Sequence, residues 1–252
     1  MAKATIKTKE EINKLREGGR ILATIVDRLA KEARHGLTTW DLEKLAEQLA
    51  EEYKVKPSFK GFGDPPYPAI LCVSNNEGIV HCLPNKEPLK EGDVLGIDCG
   101  FWHKGLCTDM AVTVGIGKVS AEAKKLIDVT KKSLELGLQQ IKKGNTLGDI
   151  GYAVQTYVEK NGFGVVRNLV GHGVGYDVHE DPRIPNFGKK NTGMVLEPGM
   201  VLAIEPMVTL GDWNIEVLDN DWDIVTADRS LAAHFEHTIV VTEKGCEILT
   251  LL

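Results

Sequence analysis

Apolar residues recur at helical spacing through the first fifty positions and in short, dense runs after that. Ile12, Leu15, Leu22, Ile25, Val26 and Leu29 form one helical stripe behind Thr8-Lys-Glu-Glu11. In that tetrad the threonine and the glutamate three residues on can cap each other's backbone. The spacing predicts a helix ending near Arg34 and a second over Thr39–Tyr53, with Leu42, Leu45, Ala46 and Leu49 inward. Residues 58–68 are rich in glycine, proline and aromatic side chains and read as a loop. Apolar runs at 69–73, 94–99 and 110–115 predict strands. Helical spacing returns over 120–143, stopped by Gly144, and over Leu147–Lys160, stopped near Asn161-Gly162. The remainder reads as short strands and loops.

Two segments are alike. Gly36-Leu-Thr-Thr-Trp-Asp-Leu42 and Gly144-Asn-Thr-Leu-Gly-Asp-Ile150 share glycine, threonine, aspartate and an aliphatic residue at the same spacing. Each follows a long helix and opens a shorter one. Common capping chemistry explains this, and so does an internal duplication. A duplication would make residues 1–252 one catalytic domain of two halves dividing near 115–120. The halves would face each other across a pseudo-twofold axis, and such an interface is a natural place for a site.

The formal net charge is −6, and no basic stripe is visible. Nonspecific nucleic-acid binding needs a basic face, so no direct nucleic-acid partner is expected. The N-terminus lacks the apolar core of a signal peptide, and no run approaches membrane-spanning length, so no membrane partner is expected either. Cys72, Cys82, Cys99, Cys107 and Cys246 are odd in number and form no C-x-x-C pair. Reduced thiols in a cytoplasmic protein, monomeric by default, are the expectation.

Several acidic residues sit where burial should be costly. Asp98 follows Val94-Leu-Gly-Ile97, a run apolar enough to be covered on both faces. Lys104-Gly105 suggests a turn. If it centres between His103 and Lys104, an antiparallel hairpin sets Asp98 directly opposite Asp109, about 5 Å apart, which is destabilising unless a cation lies between them. The alternative is a register one or two residues away, with each aspartate merely capping a turn. Glu205 ends Val201-Leu-Ala-Ile204, and Glu236 opens a strand-like run. His172 lies in Gly171-His-Gly-Val-Gly175, where glycines let the backbone approach something closely. Four carboxylates and one imidazole in apolar or glycine settings fit two divalent cations of the Mn, Fe, Co or Zn type. Such a pair suits hydrolysis.

The ordered set Asp98, Asp109, Gly171-His-Gly173, Ile204-Glu-Pro-Met207 and Glu236-His-Thr-Ile239 resembles the pita-bread metallopeptidases, and among them the type I methionine aminopeptidases. The resemblance spans nearly the whole chain. It implies an α+β fold, an antiparallel sheet with helices on one side and a pseudo-twofold duplication. It implies co-translational removal of the initiator methionine, with a small second residue preferred. Two divalent metal ions (Co, Mn, Fe or Zn) would be the cofactors. The partners would be nascent polypeptide N-termini, with ribosome association open.

By the same resemblance Asp98 chelates the first metal, Asp109 and Glu236 bridge both, and His172 and Glu205 hold the second. Glu205 doubles as general base. His81 contacts substrate near the scissile amide, and His179 binds its carbonyl oxygen. Tyr67, Cys72, Trp222 and Phe62 line the methionine pocket. The chain departs from the usual pattern at Cys82, Thr108 and Val178, and its 61–68 loop is about two residues longer. These departures put pocket shape in question, with Val178 expected to loosen the site beyond the scissile bond. Length leaves no room for the N-terminal domain of prolidases. The 31 residues from Glu205 to Glu236 leave none for the subdomain of type II enzymes. A metal-free binding module of the same fold and a broader aminopeptidase are the competing expectations. The complete ligand set weighs against the first, and a cleavage profile separates the second.

Overall fold

The computed structural model describes residues 4–252. Two helices, α1 (Lys9–Glu32) and α2 (Thr39–Tyr53), precede β1 (Lys56–Pro57), β2 (Cys72–Asn75), β3 (Gly78–Val80), β4 (Val94–His103) and β5 (Leu106–Gly115). Then come α3 (Ala121–Leu138), α4 (Leu147–Lys160), β6 (Gly164–Val165), β7 (Gly171–Gly173), β8 (Glu180–Ile184) and β9 (Val201–Ile204). The chain closes with β10 (Met207–Thr209), β11 (Ile215–Val217), β12 (Ile224–Thr226), β13 (Ala232–His234), β14 (Glu236–Val241) and β15 (Cys246–Ile248). Thr8 and Glu11 form the expected reciprocal cap of α1, and Thr38 with Asp41 does the same for α2; at α4 Asp149 accepts from the Thr146 amide and hydroxyl.

Nine strands form one antiparallel sheet along the path β1-β4-β5-β14-β9-β7-β8, with β2 on β4 and β15 on β14. Two three-stranded sheets, β13-β10-β6 and β11-β12-β3, adjoin it. The helices lie against one face of the large sheet. Leu22, Ile25 and Leu29 of α1 share a core with Ile97, Cys99, Phe101 and Met110. Leu134 of α3 and Ile150 of α4 share another with Leu202, Ile204, Ile239 and Val241. The residues alternating with these along the central strands point to the other face.

Three local expectations change. The β4–β5 hairpin turns between Lys104 and Gly105, not one residue earlier. Both have positive φ, 50° and 81°, the pair of values a two-residue I′ turn requires. Asp98 therefore pairs with Ala111 and Asp109 with Gly100. Because the shift is two residues, the aspartates stay on one face as diagonal neighbours. The third helix stops at Leu138, short of Lys143, since Ile141 turns into the core and Gly144 reaches the carbonyl of Leu196 at 3.1 Å. The strand expected at 69–73 begins only at Cys72. The Glu43 carboxylate accepts the Ile70 and Leu71 amides at 2.8 and 2.9 Å, so those groups need no partner strand.

Candidate active site

Register alone brings the acidic residues together. Ala111 on β5 pairs with Asp98 on β4 and with Glu236 on β14, and Asp109 lies two residues along the same strand. His237 pairs with Ile204, so Glu205 continues opposite Glu236, and His172 pairs with Ala203 two residues before Glu205. Partners across a ladder share a face, as do residues two apart. All five side chains thus project from the face opposite the helices. Thr238 pins β5 to β14 here, accepting from the Asp109 amide at 2.9 Å and donating to its carbonyl at 2.8 Å. Glu205 lies where the chain leaves the large sheet (β9) for a small one (β10), and the Asn186 amide donates to its carbonyl at 2.9 Å.

Asp98, Asp109, Glu205 and Glu236 are all buried. Burial, and then one another's charge, push Asp98, Glu205 and Glu236 well above the usual carboxylate range. Burial raises Asp109 to about 7. Among the described residues no lysine or arginine pairs with them. Among those residues the basic groups beside them are imidazoles that burial keeps neutral, His172 at 3.4 Å from Glu205 and His234 at 3.5 Å from Glu205 and 4.0 Å from Glu236. Asp98 Oδ1, Glu236 Oε1 and His234 Nε2 are buried with no hydrogen-bond partner. Such groups cost several kcal/mol each unless a cation compensates. Ligand atoms of Asp109, His172 and Glu236 lie within 4.8 Å of one another, as do those of Glu205, His234 and Glu236. A cluster of hard oxygen donors with imidazole fits divalent cations.

The histidines are held neutral. Burial, reinforced by His179, lowers His172 to about 3 and His81 to about 4. Burial lowers His179 as well. His172 Nδ1 sits 2.9 Å from the Gly173 carbonyl, a contact that puts the proton on Nδ1 and leaves Nε2 as a free electron pair facing Glu205. The rings of His172 and His179 meet edge-on at 4.4 Å.

A cavity of about 770 Å³ opens over this face, lined by all eleven residues named from the sequence. Asp98, Asp109, His172, Glu205 and Glu236 form its floor. Tyr67 and Trp222 meet edge-on at 4.9 Å beside Cys72. The Tyr67 hydroxyl donates to the Leu71 and Cys82 carbonyls at 2.8 and 3.1 Å, which leaves the ring's apolar surface for the cavity. Phe62 packs edge-on against His179 at 5.1 Å. Val80 and Met207 extend the apolar lining.

Val178, expected to loosen the site, does not line this cavity. It is buried among Leu15, Val174 and Val201, facing away. Cys82 and Thr108 are also buried outside the lining, with the Cys82 thiol against the Val80 and Ile224 carbonyls. One residue at the site was missed from the sequence: His234. It lies two positions before Glu236 in an extended run, so it shares that face, and this alternation was the available signal. Phe235 between them marks the switch from β13 to β14, which hides the pairing from a strand-by-strand reading.

The fold and the floor of this cavity define a metal-dependent peptidase. The model of Metallopeptidase family M24 matches residues 13–243, and the chain belongs to that family. A methionine aminopeptidase of Clostridium acetobutylicum is 47% identical over 247 residues, covering 98% of each chain. The crystal structure of a methionine aminopeptidase from Thermotoga maritima is similar at a TM-score of 0.97 and 45% identity, over 99% of this chain and 100% of that one. Prolidase from Pyrococcus furiosus, at 21% identity and a TM-score of 0.78, covers 98% of this chain and 65% of its own, and shares the fold alone. The α+β pita-bread fold implied by the sequence is the one the chain adopts.

Proposed function

We propose that this chain is a methionine aminopeptidase that removes the initiator methionine from new polypeptides. The observation that carries the reading is the convergence in one cavity of four buried carboxylates, which no lysine or arginine among the described residues pairs with, and an apolar aromatic slot. Asp98, Asp109, His172, Glu205 and Glu236 would hold two divalent cations. Bound there, the cations would lower the pKa of a water and polarise the scissile carbonyl.

The chain's own groups do the rest. Glu205 takes the proton from the attacking water as general base. His179, neutral, donates to the oxygen on which negative charge develops. His81 contacts the substrate near the scissile amide. Tyr67, Cys72, Trp222 and Phe62 enclose the methionine side chain, whose flexible thioether packs well on aromatic rings. His234, 3.5 Å from Glu205 Oε2 and 4.0 Å from Glu236 Oε2, stands beside both carboxylates.

The test is hydrolysis of Met-Ala-Ser by metal-stripped protein with Mn, Fe, Co or Zn added back. Restored cleavage is expected, with norleucine in place of methionine reduced but measurable. Leu-Ala-Ser should be much poorer, because branching collides with a slot for a straight chain. Cleavage of Leu-Ala-Ser within about threefold of Met-Ala-Ser, under about 1 kcal/mol of discrimination, would leave only a general aminopeptidase.

The reading extends to a monomer acting on nascent N-termini in the cytoplasm. The five free thiols are in keeping with a reducing compartment. No helix among the described residues is long and apolar enough to cross a membrane. It also extends to a single catalytic unit of two related halves. The caps at Thr38 and Thr146 support this, each threonine also bridging a later strand-like residue, Pro88 and Val195.

A further inference from the structure

Lys7 is a buried lysine that the chemistry above does not use. Its ammonium donates to Glu180 Oε2 at 2.7 Å and lies against the Thr5 hydroxyl, which itself donates to the same oxygen at 2.5 Å. The other oxygen of Glu180 accepts the Tyr176 and Asp177 amides at 2.6 and 3.3 Å. The ammonium also stands 4.6 Å above the Tyr176 ring, and the Tyr176 hydroxyl donates to Glu11 at 2.8 Å. Residues 5–11 therefore clasp the loop 175–180, and the residue just before Glu180 is His179.

The backbone is shaped for this clasp. Gly175 has φ +138°, and a Cβ there would lie 2.7 Å from Lys7 Cε, so the lysine stem passes where only glycine leaves room. This accounts for the last glycine of Gly171-His-Gly-Val-Gly175. The Lys7 amide donates to the Gly199 carbonyl at 2.9 Å, and Ile6 bridges Met200, just before the strand that leads to Glu205. One short segment thus ties the approach to Glu205 to the loop that carries His179. A buried ion pair is a poor device for stability, because apolar residues of similar volume often do as well or better. Its use here is to fix a geometry.

We propose that Lys7 is a positioning residue that, through Glu180, holds the His179 imidazole in place over the cavity. The inference rests on the reading of His179 as the oxyanion donor, and the test separates the two. On metal-loaded enzyme, with Met-Ala-Ser and well below the melting temperature, Lys7→Met should lower kcat about tenfold or more, since small misplacements of catalytic groups are costly. KM and metal stoichiometry should hold. His179→Ala should lower kcat about 100-fold. The double variant should be no slower than His179→Ala alone, because a residue acting only through His179 has nothing left to act on.

Lys7→Met with Glu180→Leu, which removes both charges, should regain thermal stability without regaining kcat. Should Lys7→Met fail to fold, this paired variant carries the same comparison. Full kcat in Lys7→Met, or a double variant with His179→Ala that shows the product of both losses, overturns the proposal. Full kcat in His179→Ala overturns the oxyanion reading and this proposal with it.

Discussion

The imidazole of His234 stands 3.5 Å from one carboxylate of the site and 4.0 Å from another, with its buried Nε2 hydrogen-bonded to neither. Groups just outside a ligand set orient it, and losing one costs about 10–100-fold in metal affinity. His234→Leu should weaken Mn binding by that order in titration calorimetry, and His234→Gln, which keeps an N–H, should retain most of it. Wild-type affinity in the leucine variant would remove His234 from the site. Asp109 and Glu236 are the harder test of the ligand reading. Asp109→Asn or Glu236→Gln should abolish turnover with an unchanged circular dichroism spectrum. Near-normal activity of either variant with metal supplied would sink the two-cation reading.

Between elements, the informative contact is Glu43 of α2. Its buried carboxylate holds the Ile70 and Leu71 amides, and so fixes the stretch between Tyr67 and Cys72. The Tyr67 hydroxyl donates to the Leu71 carbonyl within the same stretch. Glu43→Ala leaves two buried donors unmet, a loss of about 2–4 kcal/mol, readable as a lower urea midpoint. The methionine slot should loosen with it, raising KM for Met-Ala-Ser more than it lowers kcat. An unchanged midpoint would mean that water replaces the carboxylate. At this scale the strands were found from their apolar runs, but their edges were not. The turn at Lys104-Gly105 and the late start of β2 depend on a backbone twist and on a carboxylate from a helix twenty-seven residues earlier.

For the molecule as a whole, four buried carboxylates make stability a function of pH and metal. Without cations Asp98, Asp109, Glu205 and Glu236 titrate above the unfolded value of about 4. The native state then holds protons that the unfolded chain has released, so stability falls as pH rises through that window. His81, His172 and His234 are lowered by burial and act oppositely, but only below their unfolded value of about 6.5. Above about pH 6.5 the carboxylates act without that opposition. Calorimetry of chelated protein should show a melting temperature falling from about pH 6.5 to 7.5, below the range in which the buried thiols contribute. Metal-loaded protein, its carboxylates held ionised, should show no such fall, and loading should release protons. A flat profile for the chelated protein would mean that these groups are compensated by something other than metal.

Sequence by itself determined the helices, whose stripes and caps are local, and it singled out four carboxylates and His172, which stand out in apolar or glycine runs wherever they fall; the other six residues of the cavity came from the family resemblance. It also determined the family, because the order and spacing of those motifs are specific as a set. Only the tertiary structure decided the hairpin register, the burial of Val178 away from the cavity, and the places of His234 and Lys7. Each of these depends on partners far along the chain. Val178 packs on Leu15 and Val201, His234 faces Glu205, and Lys7 reaches Glu180 through the space left by Gly175. Periodicity carries no information about which distant strand a residue will meet. That is settled by how the sheet curls and by which backbone groups still need partners once it has.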